Sequence, residues 1–507
     1  MLAQLHTATI VGIDAVPVDV EVDIQNGLPQ ITIVGLPDTA IQEARERIRS
    51  ALSNCGFQFP RTRVTINLAP ADLKKEGSGF DLPIALGILV ASRVLKPEQV
   101  YDVCAVGELA LDGTIRPVRG GLLYGLCARK QKFKLCVPER MALQASYAEG
   151  IDVIPIKTLR DIVAILKSVS PVPKFVRPRE EESSTPASCE DDMKYIIGQE
   201  QAKRALIISA SGGHSILFAG PPGTGKTMLA RTLATILPEP TKEEQLLVTR
   251  IWAAAGQLDP DAGLVHARPF RDPHHSSSAV ALIGGGSKAS PGEISLAHSG
   301  VLFLDECTEF PRYVLNTLRQ PLETGRITIS RAEHRMQYPA QFQLVASTNP
   351  CPCGNAGSEE LVCTCTSAER IRYQKRLTGP LLDRIDMVVK VPRQKMKQSE
   401  SISDLTSAKA KEIVEHARAI QHERTPGRQN SRLTRDEVIR YCALDDKGTE
   451  LVRSLVNRFK ISRRAVDRIV RLARTIADMR GAESIAFADV AESAQYRVSS
   501  EDIFPGC

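Results

Sequence analysis

The chain has 507 residues, of which 43% are hydrophobic, 24% charged and 5% aromatic. This is the composition of a globular protein, and it excludes a disordered chain, a collagen-like chain and a small disulfide scaffold. At about 100–200 residues per domain, the length predicts three or four domains. The net charge of +6, from 65 basic and 59 acidic residues, suits nucleic acid as a partner but does not require it.

The N-terminal residues lack the basic and apolar regions of a secretion signal, and the sequence has no uncharged apolar run of about eighteen residues. We therefore expect a soluble, cytoplasmic protein that does not enter a membrane. Four of the twelve cysteines form two CxC pairs, Cys351 with Cys353 and Cys363 with Cys365. This clustering indicates metal binding rather than a disulfide framework.

Residues 1–168 are predicted to form an α+β domain. Apolar and acidic residues alternate over 18–24, and 31–34 and 64–68 are similar, which is typical of half-buried strands. Between these strands, Asp38 is suited to cap a helix, because apolar residues recur after it at helical spacing. These residues are Ile41, Ala44, Ile48, Ala51 and Leu52.

Three further segments follow in the predicted division of the chain. Residues 169–194 are rich in proline, serine and acidic residues, a composition that indicates a linker. Residues 195–395 are predicted to be an ATPase core, and residues 396–507 a domain formed almost wholly of helices. The core contains short, almost continuously apolar runs, which are typical of a parallel sheet covered on both faces. These runs are 215–219, 301–304, 342–347 and 387–391.

A phosphate-binding loop is predicted at residues 220–227, whose sequence GPPGTGKT fits G-x-x-x-x-G-K-[ST] between a strand and a helix. Its glycines allow backbone N–H groups to surround phosphates, while Lys226 reaches the β and γ oxygens and Thr227 binds Mg²⁺. The alternative is a glycine turn without function. The predicted nucleotide-binding residues of this loop are Gly220, Pro221, Pro222, Gly223, Thr224, Gly225, Lys226 and Thr227.

Hydrolysis requires an acidic group beside the phosphates, and the strand at 301–304 ends in Asp305 and Glu306. We expect Asp305 to hold the Mg²⁺ shell and Glu306 to polarise the attacking water. The alternative is a core strand followed by an exposed acidic turn. The strand at 344–347 is followed by Asn349, whose amide is placed to orient the water, although Asn-Pro also simply forms turns.

In this order, these motifs resemble those of the AAA+ ATPases. Residues 196–206 (IIGQEQAKRAL) resemble the segment that covers the adenine, which assigns Ile197 and Gly198 to nucleotide binding. Residues 379–386 (GPLLDRID) resemble the arginine-finger segment, so that Arg384 would act on ATP in a neighbouring subunit of a ring. The alternative for Arg384 is a structural ion pair with Asp383 or Asp386. Arg464 corresponds to the sensor-2 arginine.

A longer signature identifies a group within this superfamily. Five segments carry it, and together they resemble the magnesium-chelatase-like ATPases of the ComM/YifB type. The resemblance implies a hexameric motor that acts on single-stranded and branched DNA, drives branch migration in homologous recombination during natural transformation, and works with recombination proteins. The segments are 268–276 (RPFRDPHHS), 283–286 (IGGG), 291–297 (PGEISLA), 300–306 (GVLFLDE) and 474–479 (RTIADM).

Two insertions in the predicted core carry basic residues that would face the pore of such a ring. The first is glycine-rich and contains Lys288, and the second is a hairpin-like alternation with Arg326, Arg331 and Arg335. Loops of this kind bind phosphates without regard to sequence and with strong salt dependence. For each residue, a solvated surface position is the alternative.

The two CxC pairs lie between Asn349 and Arg384, and four thiolates suit one tetrahedral ion. We expect structural Zn²⁺ bound by Cys351, Cys353, Cys363 and Cys365, against free thiols or a redox-sensitive pair. The site is not expected to be catalytic, because four thiolates leave no open coordination position. ATP and Mg²⁺ are the other predicted ligands.

The first domain resembles the Lon protease fold at 75–79 (KEGSG), 107–113 and 116–122. In register, Gly79 takes the position of the nucleophilic serine and Leu122 that of the lysine, so both groups required for proteolysis are missing. Ser78 is one residue away and Lys75 is near in sequence, which leaves an ATP-dependent protease as an alternative. Another alternative is a chelatase motor that remodels a protein partner. We favour an ATP-driven DNA helicase whose first domain is an inactive scaffold.

Overall fold

The computed structural model of the chain describes residues 2–178, 191–286, 289–330, 335–357, 361–377, 379–393, 404–459 and 462–497. These residues divide into two units. The first unit combines Met1–Ser183 with Lys242–Val265, and the second combines Ser184–Thr241 with His266–Cys507. Within the described ranges, no helix has both the length and the apolar composition that crossing a membrane requires.

The first unit alternates strands and helices. Its elements in chain order are β1 (Leu2–Val11), β2 (Asp14–Gln25), β3 (Gln30–Val34), α1 (Thr39–Asn54), β4 (Arg63–Ala69), α2 (Asp81–Ala91), β5 (Val103–Ala105), β6 (Glu108–Leu109), β7 (Ile115–Arg116), α3 (Gly121–Gln131), β8 (Lys134–Pro138), α4 (Ala142–Ser146), β9 (Val153–Ile156) and α5 (Leu159–Leu166). The large sheet is mixed, with the strand order β3-β4-β2-β1-β5-β8-β9.

The alternation in the sequence explains this sheet. In β2, the apolar residues Val18, Val20 and Val22 are buried, and the acidic residues between them lie on the other face. Asp38 caps α1 by accepting a hydrogen bond from the backbone N–H of Ile41 at 2.9 Å. The five apolar residues predicted for the buried face of this helix are all buried. The predicted α+β character is therefore confirmed.

The remaining elements in chain order begin with α6 (Glu200–Gly212), β10 (Ile216–Ala219), α7 (Lys226–Ile236), α8 (Lys242–Ala255), β11 (Phe270–Arg271), α9 (Ala279–Ile283), β12 (Gly284–Gly285), β13 (Ser290–Pro291), α10 (Glu293–Leu296) and β14 (Val301–Leu304). They continue with α11 (Arg312–Thr317), α12 (Arg319–Thr324), β15 (Arg326–Ser330), β16 (Arg335–Pro339), β17 (Gln343–Thr348), α13 (Ser367–Gln374), α14 (Gly379–Leu382) and β18 (Met387–Lys390). The C-terminal helices are α15 (Ser407–Arg424), α16 (Arg435–Tyr441), α17 (Asp446–Phe459), α18 (Arg463–Met479) and α19 (Phe487–Gln495).

The central sheet of the second unit has the order β11-β14-β17-β10-β18, and each neighbouring pair is parallel. The four apolar runs in the sequence form four of its strands, β10, β14, β17 and β18. Their residues are mostly buried because helices cover both faces. The predicted parallel sheet is confirmed, and the carboxyl ends of all five strands lie along one edge.

One segment from within the predicted ATPase range belongs to the first unit. Lys242–Val265, which contains α8, packs against the N-terminal sheet and its helices. Arg250 forms an ion pair with Asp14, and the Gln144 side chain donates to the carbonyl of Asp259 at 2.7 Å. The sequence pattern does not reveal this assignment, because α8 has the same helical periodicity as its neighbours in the chain.

The helices of the C-terminal region pack around α18, whose apolar stripe is buried. A largely buried polar network crosses this packing. Asp478 accepts hydrogen bonds from Arg424, Asn430 and Arg474, with the shortest described distance 2.6 Å from Arg424 Nη2. Arg474, one of the basic residues of this helix, is therefore part of the core. The predicted helical domain is confirmed in its secondary structure.

Candidate nucleotide site and cysteine cluster

The phosphate-binding loop connects β10 to α7 at the carboxyl edge of the parallel sheet. Gly223 and Gly225 have positive φ angles of 76° and 84°, which other residues rarely adopt. Gly220 passes so close to β18 that a Cβ atom on it would lie 2.2 Å from the carbonyl oxygen of Val391. Both constraints account for glycines in a loop whose backbone N–H groups surround an anion.

Lys226 lies at the start of α7 and is buried. Its Nζ donates to the carbonyl oxygens of Gly220 at 2.8 Å and Pro221 at 2.7 Å, and to Asn349 Oδ1 at 3.1 Å. Burial lowers the pKa of Lys226, while the nearby carboxylates of Asp305 and Glu306 act in the opposite direction. The structure thus brings together Lys226 and Asn349, which follow two different strands in the sequence.

The two predicted Mg²⁺ ligands are also adjacent. Thr227 Oγ1 donates a hydrogen bond to Asp305 Oδ2 at 3.0 Å, although 78 positions separate the residues in sequence. Hydroxyl and carboxylate oxygens are the donors that Mg²⁺ prefers, and a P-loop threonine beside a strand-end aspartate is the usual pair in P-loop ATPases. The residues present therefore fit a magnesium ion.

Glu306 follows in an unusual backbone conformation, with φ 48° and ψ 49°. Its backbone N–H donates to Asp305 Oδ1 and to Ser347 Oγ, each at 3.0 Å, and these bonds hold the turn. A left-handed conformation at a residue without glycine's freedom costs energy and is found most often at functional sites. The turn leaves the Glu306 side chain exposed at the sheet edge.

Two further polar residues at the carboxyl edge of the parallel sheet were not predicted from the sequence. Ser347 donates to Asp305 Oδ1, and the parallel register of Leu304 with Ala346 would have placed it beside Asp305. Asp272 follows β11 at the same edge, where burial and then the charge of Asp305 raise its pKa. Its position immediately after β11 could have indicated this placement, but that strand is only two residues long.

Arg384 and Arg464 line one cavity of about 690 Å³ in the second unit. Its lining, drawn from the described residues, does not include residues 220–227. The cavity is strongly basic, with three carboxylates and six arginines. Those arginines are Arg384, Arg428, Arg432, Arg464, Arg468 and Arg471. The structure thus places the two predicted AAA+ arginines together and gives them a basic environment.

The ion pair described for Arg384 is with Glu323, a partner that the sequence did not suggest. Of the two aspartates considered in the sequence, Asp386 accepts from the backbone N–H of Ser215 at 3.0 Å, and Asp383 lies 3.8 Å from Arg497. The Arg384 side chain is 11% exposed.

The segment proposed to cover the adenine, residues 196–206, begins in the turn before α6 and continues into that helix. Ile197 is 46% exposed, and Gly198 has a φ of 59°, which together form a turn with an exposed apolar side chain. Gln199 continues the turn and donates from Nε2 to the carbonyl of Pro392 at 2.8 Å. This hydrogen bond ties the segment to the end of β18, which neighbours the phosphate-binding strand.

The two basic insertions form two-stranded hairpins. β15 and β16 pair with Arg326 opposite Pro339, and their apolar face is buried through Ile327 and Tyr338. Arg326 and Arg335 are exposed and share the other face, because both belong to the same alternating set. Lys288 and Arg331 lie outside the described residues. The Tyr338 hydroxyl donates to the carbonyl of Ala289 at 2.6 Å and joins the two insertions.

The four cysteines of the CxC pairs converge. Their sulfur atoms all lie within 4.8 Å of one another, and the described separations are 3.4 Å, 3.6 Å and 3.7 Å. A tetrahedral site with Zn–S bonds of about 2.3 Å has sulfur atoms about 3.8 Å apart, close to these values. The geometry and the sulfur donors fit a metal ion such as zinc. The cluster comprises Cys351, Cys353, Cys363 and Cys365.

Backbone N–H groups support the cluster. Those of Ala356 and Cys353 donate to the sulfur atoms of Cys351 and Cys365 at 3.2 Å and 3.4 Å. Burial raises the pKa of Cys351 to about 12 and also raises that of Cys365. In Cys353, burial acts in the same direction, but hydrogen bonds from the backbone of Asn355 and other groups outweigh it and lower the pKa to about 5. Backbone donors to sulfur are outer-shell hydrogen bonds of the kind that orient metal ligands.

In the first unit, the residues at the positions considered for a protease site are enclosed or bonded to other groups. Gly79 is enclosed, and a Cβ atom on it would lie 3.1 Å from Val106 Cγ2. Leu122 is fully buried. Ser78 Oγ donates to Glu108, whereas the buried Lys75 donates to the carbonyl of Pro70. The described hydrogen bonds thus give Ser78 and Lys75 separate partners.

Comparison with known families supports the assignment along the chain. The model for the magnesium chelatase subunit ChlI matches residues 192–399. Models described as subunit ChlI of Mg-chelatase and as the C-terminal part of ChlI match residues 20–140 and 404–497. The nucleotide site and the cysteine cluster both fall within the first of these ranges.

Similar proteins cover the whole chain. The competence protein ComM of Haemophilus influenzae is 44% identical over 98% of this chain and 97% of its own length. YifB of Salmonella typhimurium is 40% identical over the same shares. Lon protease 2 of Bacillus subtilis is 28% identical over 31% of this chain and 33% of its own length. The motifs, the parallel sheet and the full-length similarity agree, and the chain belongs to the magnesium-chelatase-like AAA+ ATPases of the ComM/YifB type.

Proposed function

We propose that the protein is an ATP-driven DNA translocase that works as a hexameric ring and promotes branch migration in homologous recombination during natural transformation. The observation that carries this proposal is the convergence of Lys226, Thr227, Asp305 and Asn349 at one sheet edge. A relative of similar length is a competence protein, which agrees with a role in DNA uptake.

Each residue of the site has a defined part in ATP hydrolysis. Lys226 binds the β and γ phosphate oxygens, while Thr227 and Asp305 hold Mg²⁺, which neutralises phosphate charge when bound. Glu306 accepts a proton from the attacking water, and Asn349 orients that water. The exposure of Glu306 and the two hydrogen bonds that fix its backbone support this role as a proton acceptor.

Arg384 acts on ATP bound by the neighbouring subunit, and Arg464 is the proposed sensor-2 arginine. They line a basic cavity to which the phosphate-binding loop of the same chain does not contribute. A guanidinium supplied by another subunit stabilises γ-phosphate charge during transfer. This arrangement makes hydrolysis depend on assembly, and it accounts for the proposed ring.

The joined hairpins are the proposed contact with single-stranded and branched DNA. Arg326 and Arg335 are exposed on one face, about four strand residues apart, which at 3.3 Å per residue corresponds to roughly 13 Å. Two cations at that spacing bind phosphates of a strand without reading its bases. The first unit is the proposed scaffold for recombination proteins, with a Lon-like fold that does not cleave peptides.

The proposed metal at the cysteine cluster is a structural zinc ion. Four sulfur donors at tetrahedral separations favour Zn²⁺ over Mg²⁺, which prefers oxygen ligands. Zinc stabilises the loop but takes no part in chemistry, since its coordination is complete.

Branch migration tests the proposal. A synthetic four-way junction is incubated with protein, ATP and Mg²⁺, and its products are resolved by gel electrophoresis. We expect the wild type to convert the junction into two duplexes by branch migration. Glu306→Gln and Lys226→Ala should leave the junction unchanged. Glu149→Gln changes an exposed acid in the first unit in the same way and should behave as the wild type. No ATP-dependent movement by the wild type would contradict the proposal.

A second candidate is a chelatase-type motor that remodels a protein partner. The family models carry the description of a magnesium chelatase subunit, which favours it. This function predicts ATP hydrolysis that a protein partner stimulates and DNA does not. The same ATPase assay with and without DNA therefore separates the two functions.

A further inference from the structure

The cysteine cluster contacts the phosphate-binding loop directly. Gly354 lies between Cys353 and Asn355 with a φ of 80°. A Cβ atom on Gly354 would lie 2.4 Å from Cδ and 2.9 Å from Cγ of Pro222. Only glycine fits this approach, because the neighbour is the ring of a proline inside the GPPGTGKT motif. The loop that carries the cysteines, residues 351–357 and 361–365 (the cluster loop), thus packs directly against the phosphate-binding loop.

The first end of the cluster loop is tied to the same site. Asn349, which accepts a hydrogen bond from Lys226, is followed two residues later by Cys351. Cys351 is fully buried, and its carbonyl oxygen accepts from the N–H of Gly354 at 3.0 Å. The cluster is therefore joined to Gly354 by a backbone hydrogen bond and to Asn349 through adjacent residues of the chain.

The second end of the loop is fixed, through α13, to the turn that follows Asp305. Tyr373 in this helix is 4% exposed and accepts a hydrogen bond from Thr308 Oγ1 at 2.5 Å. Arg376, just after α13, donates to the carbonyl of Thr308 at 3.3 Å and forms an ion pair with Glu309 at 2.9 Å. Thr308 also lies 3.3 Å from Thr348 between the hydroxyl oxygens, at the end of β17.

Residues 351–357 and 361–376 therefore contact three parts of the nucleotide site: the phosphate-binding loop, the turn after Asp305, and the strand that precedes Asn349. Residues 351–357 and 361–365, which carry the cysteines, contain no helix or strand of their own. A loop without regular hydrogen bonding depends on side-chain bonds or on a metal for its shape. The four sulfur atoms provide the means for such a bond.

We propose that a metal ion bound by the four cysteines holds Gly354 against Pro222, and that metal loading thereby sets the affinity of the site for nucleotide. This inference rests on the proposed binding of ATP at residues 220–227. Without the metal, the cysteine loop is no longer held in one conformation. Gly354 then loses its contact with Pro222, and Asn349 is no longer held in its orientation. The ion acts through position alone, and no bond to it changes during hydrolysis.

Two measurements on the full chain define the site. Metal content after purification with zinc gives the stoichiometry, and replacement by Co²⁺ gives visible absorption bands that report tetrahedral thiolate coordination. We expect one ion per chain, lost in Cys365→Ser. A wild-type protein that binds no zinc or cobalt under these conditions would overturn the proposal, whatever its affinity for nucleotide.

Nucleotide affinity is then measured by calorimetry with ADP and Mg²⁺. We expect removal of zinc by a chelator, followed by return to Mg²⁺ buffer, to weaken binding about tenfold, and added zinc to restore it. Gly354→Ala should retain the ion and weaken binding to a similar degree. Gly150→Ala is the matched control, because Gly150 has a φ of 84° with no atom near its Cβ position.

The outcomes are distinct. Equal ADP affinity in the zinc-loaded and zinc-free proteins, with only a lower thermal midpoint in the latter, would show a merely stabilising metal and overturn the inference. Unchanged affinity in Gly354→Ala would do the same, even if Cys365→Ser fails to fold. Absence of ADP binding to the zinc-loaded wild type would instead contradict the proposed nucleotide site itself.

Discussion

The two units of this chain place carboxylate side chains in different surroundings. In the first unit, Asp81 is fully buried and is held by Arg47 through bonds of 2.8 Å and 3.1 Å. In the second, Asp305 and Glu306 lie at the open edge of a parallel sheet. A polar group enclosed with its partner stabilises a fold, whereas one placed at a strand end remains accessible to a ligand.

The two units also differ in whether their sequence motifs form a site that a substrate can reach. In the first unit, Gly79 of the Lon-like segment 75–79 is enclosed by Val106 and Tyr124, which leaves little room for a substrate. The ATPase motifs of the second unit bring chemical groups from three strands to one edge. We therefore place the chemistry of the chain in the second unit, and four predictions test that division.

The largest effect is expected at Arg384. Arg384→Ala should lower ATP turnover about 10³-fold or more, the range measured for arginine fingers. Mixing Arg384→Ala with Lys226→Ala subunits should restore part of the activity, because some sites then combine an intact phosphate-binding loop with an intact neighbouring arginine. Steady-state ATPase rates of the mixtures provide the measurement. Failure to recover at any mixing ratio would contradict action between subunits.

In the first unit, Arg47→Met should destabilise the fold by about 3–5 kcal/mol, because it leaves the buried Asp81 carboxylate without its partner. Urea unfolding followed by circular dichroism measures this change. Adding Asp81→Asn should recover part of the loss. Nucleotide affinity should stay the same in the folded single variant, and a fall in affinity would show that the two units are not chemically separate.

The hairpin face gives a smaller effect. Arg326→Ala combined with Arg335→Ala should weaken binding of single-stranded DNA about tenfold at low salt and reduce the slope of affinity against salt concentration, because two phosphate contacts are lost. Fluorescence anisotropy at several salt concentrations measures both. Arg453→Ala, on the helical region, is the control. An unchanged salt slope would remove this face from the DNA contact.

The smallest effect is expected at Gly79. Gly79→Ser adds a hydroxyl at the position of the Lon nucleophile, but its Cβ meets Val106 at 3.1 Å, and Leu122 supplies no amine. We expect a loss of stability of about 1–3 kcal/mol and no peptide cleavage. A fluorogenic casein assay with ATP tests for cleavage. Turnover by this variant would mean that the first unit keeps a working protease site.

The sequence predicted much of the fold and of the nucleotide site, because both depend on local patterns. The alternation in β2, the cap at Asp38 and the apolar strand β14 each follow from neighbouring residues. The adjacency of Thr227 and Asp305 follows from a parallel sheet, in which carboxyl ends share an edge. These features needed no knowledge of distant contacts.

The rest depends on contacts between residues far apart in the chain. The approach of Gly354 to Pro222 joins positions that no spacing relates, and the left-handed turn at Glu306 is held by Ser347 from another strand. The partner of Arg384 is Glu323 from α12, although two aspartates lie nearer in sequence. The placement of α8 with the first unit was also hidden, since its periodicity fits either unit.

The most direct test of the account is the rate of ATP hydrolysis with and without forked DNA, measured for the wild type and Glu306→Gln at low and high salt. We predict that forked DNA stimulates the wild type at low salt, that the stimulation falls as salt rises, and that Glu306→Gln binds ATP but hydrolyses it about 10²–10⁴-fold more slowly. Equal wild-type rates with and without DNA at every salt concentration would contradict a DNA motor.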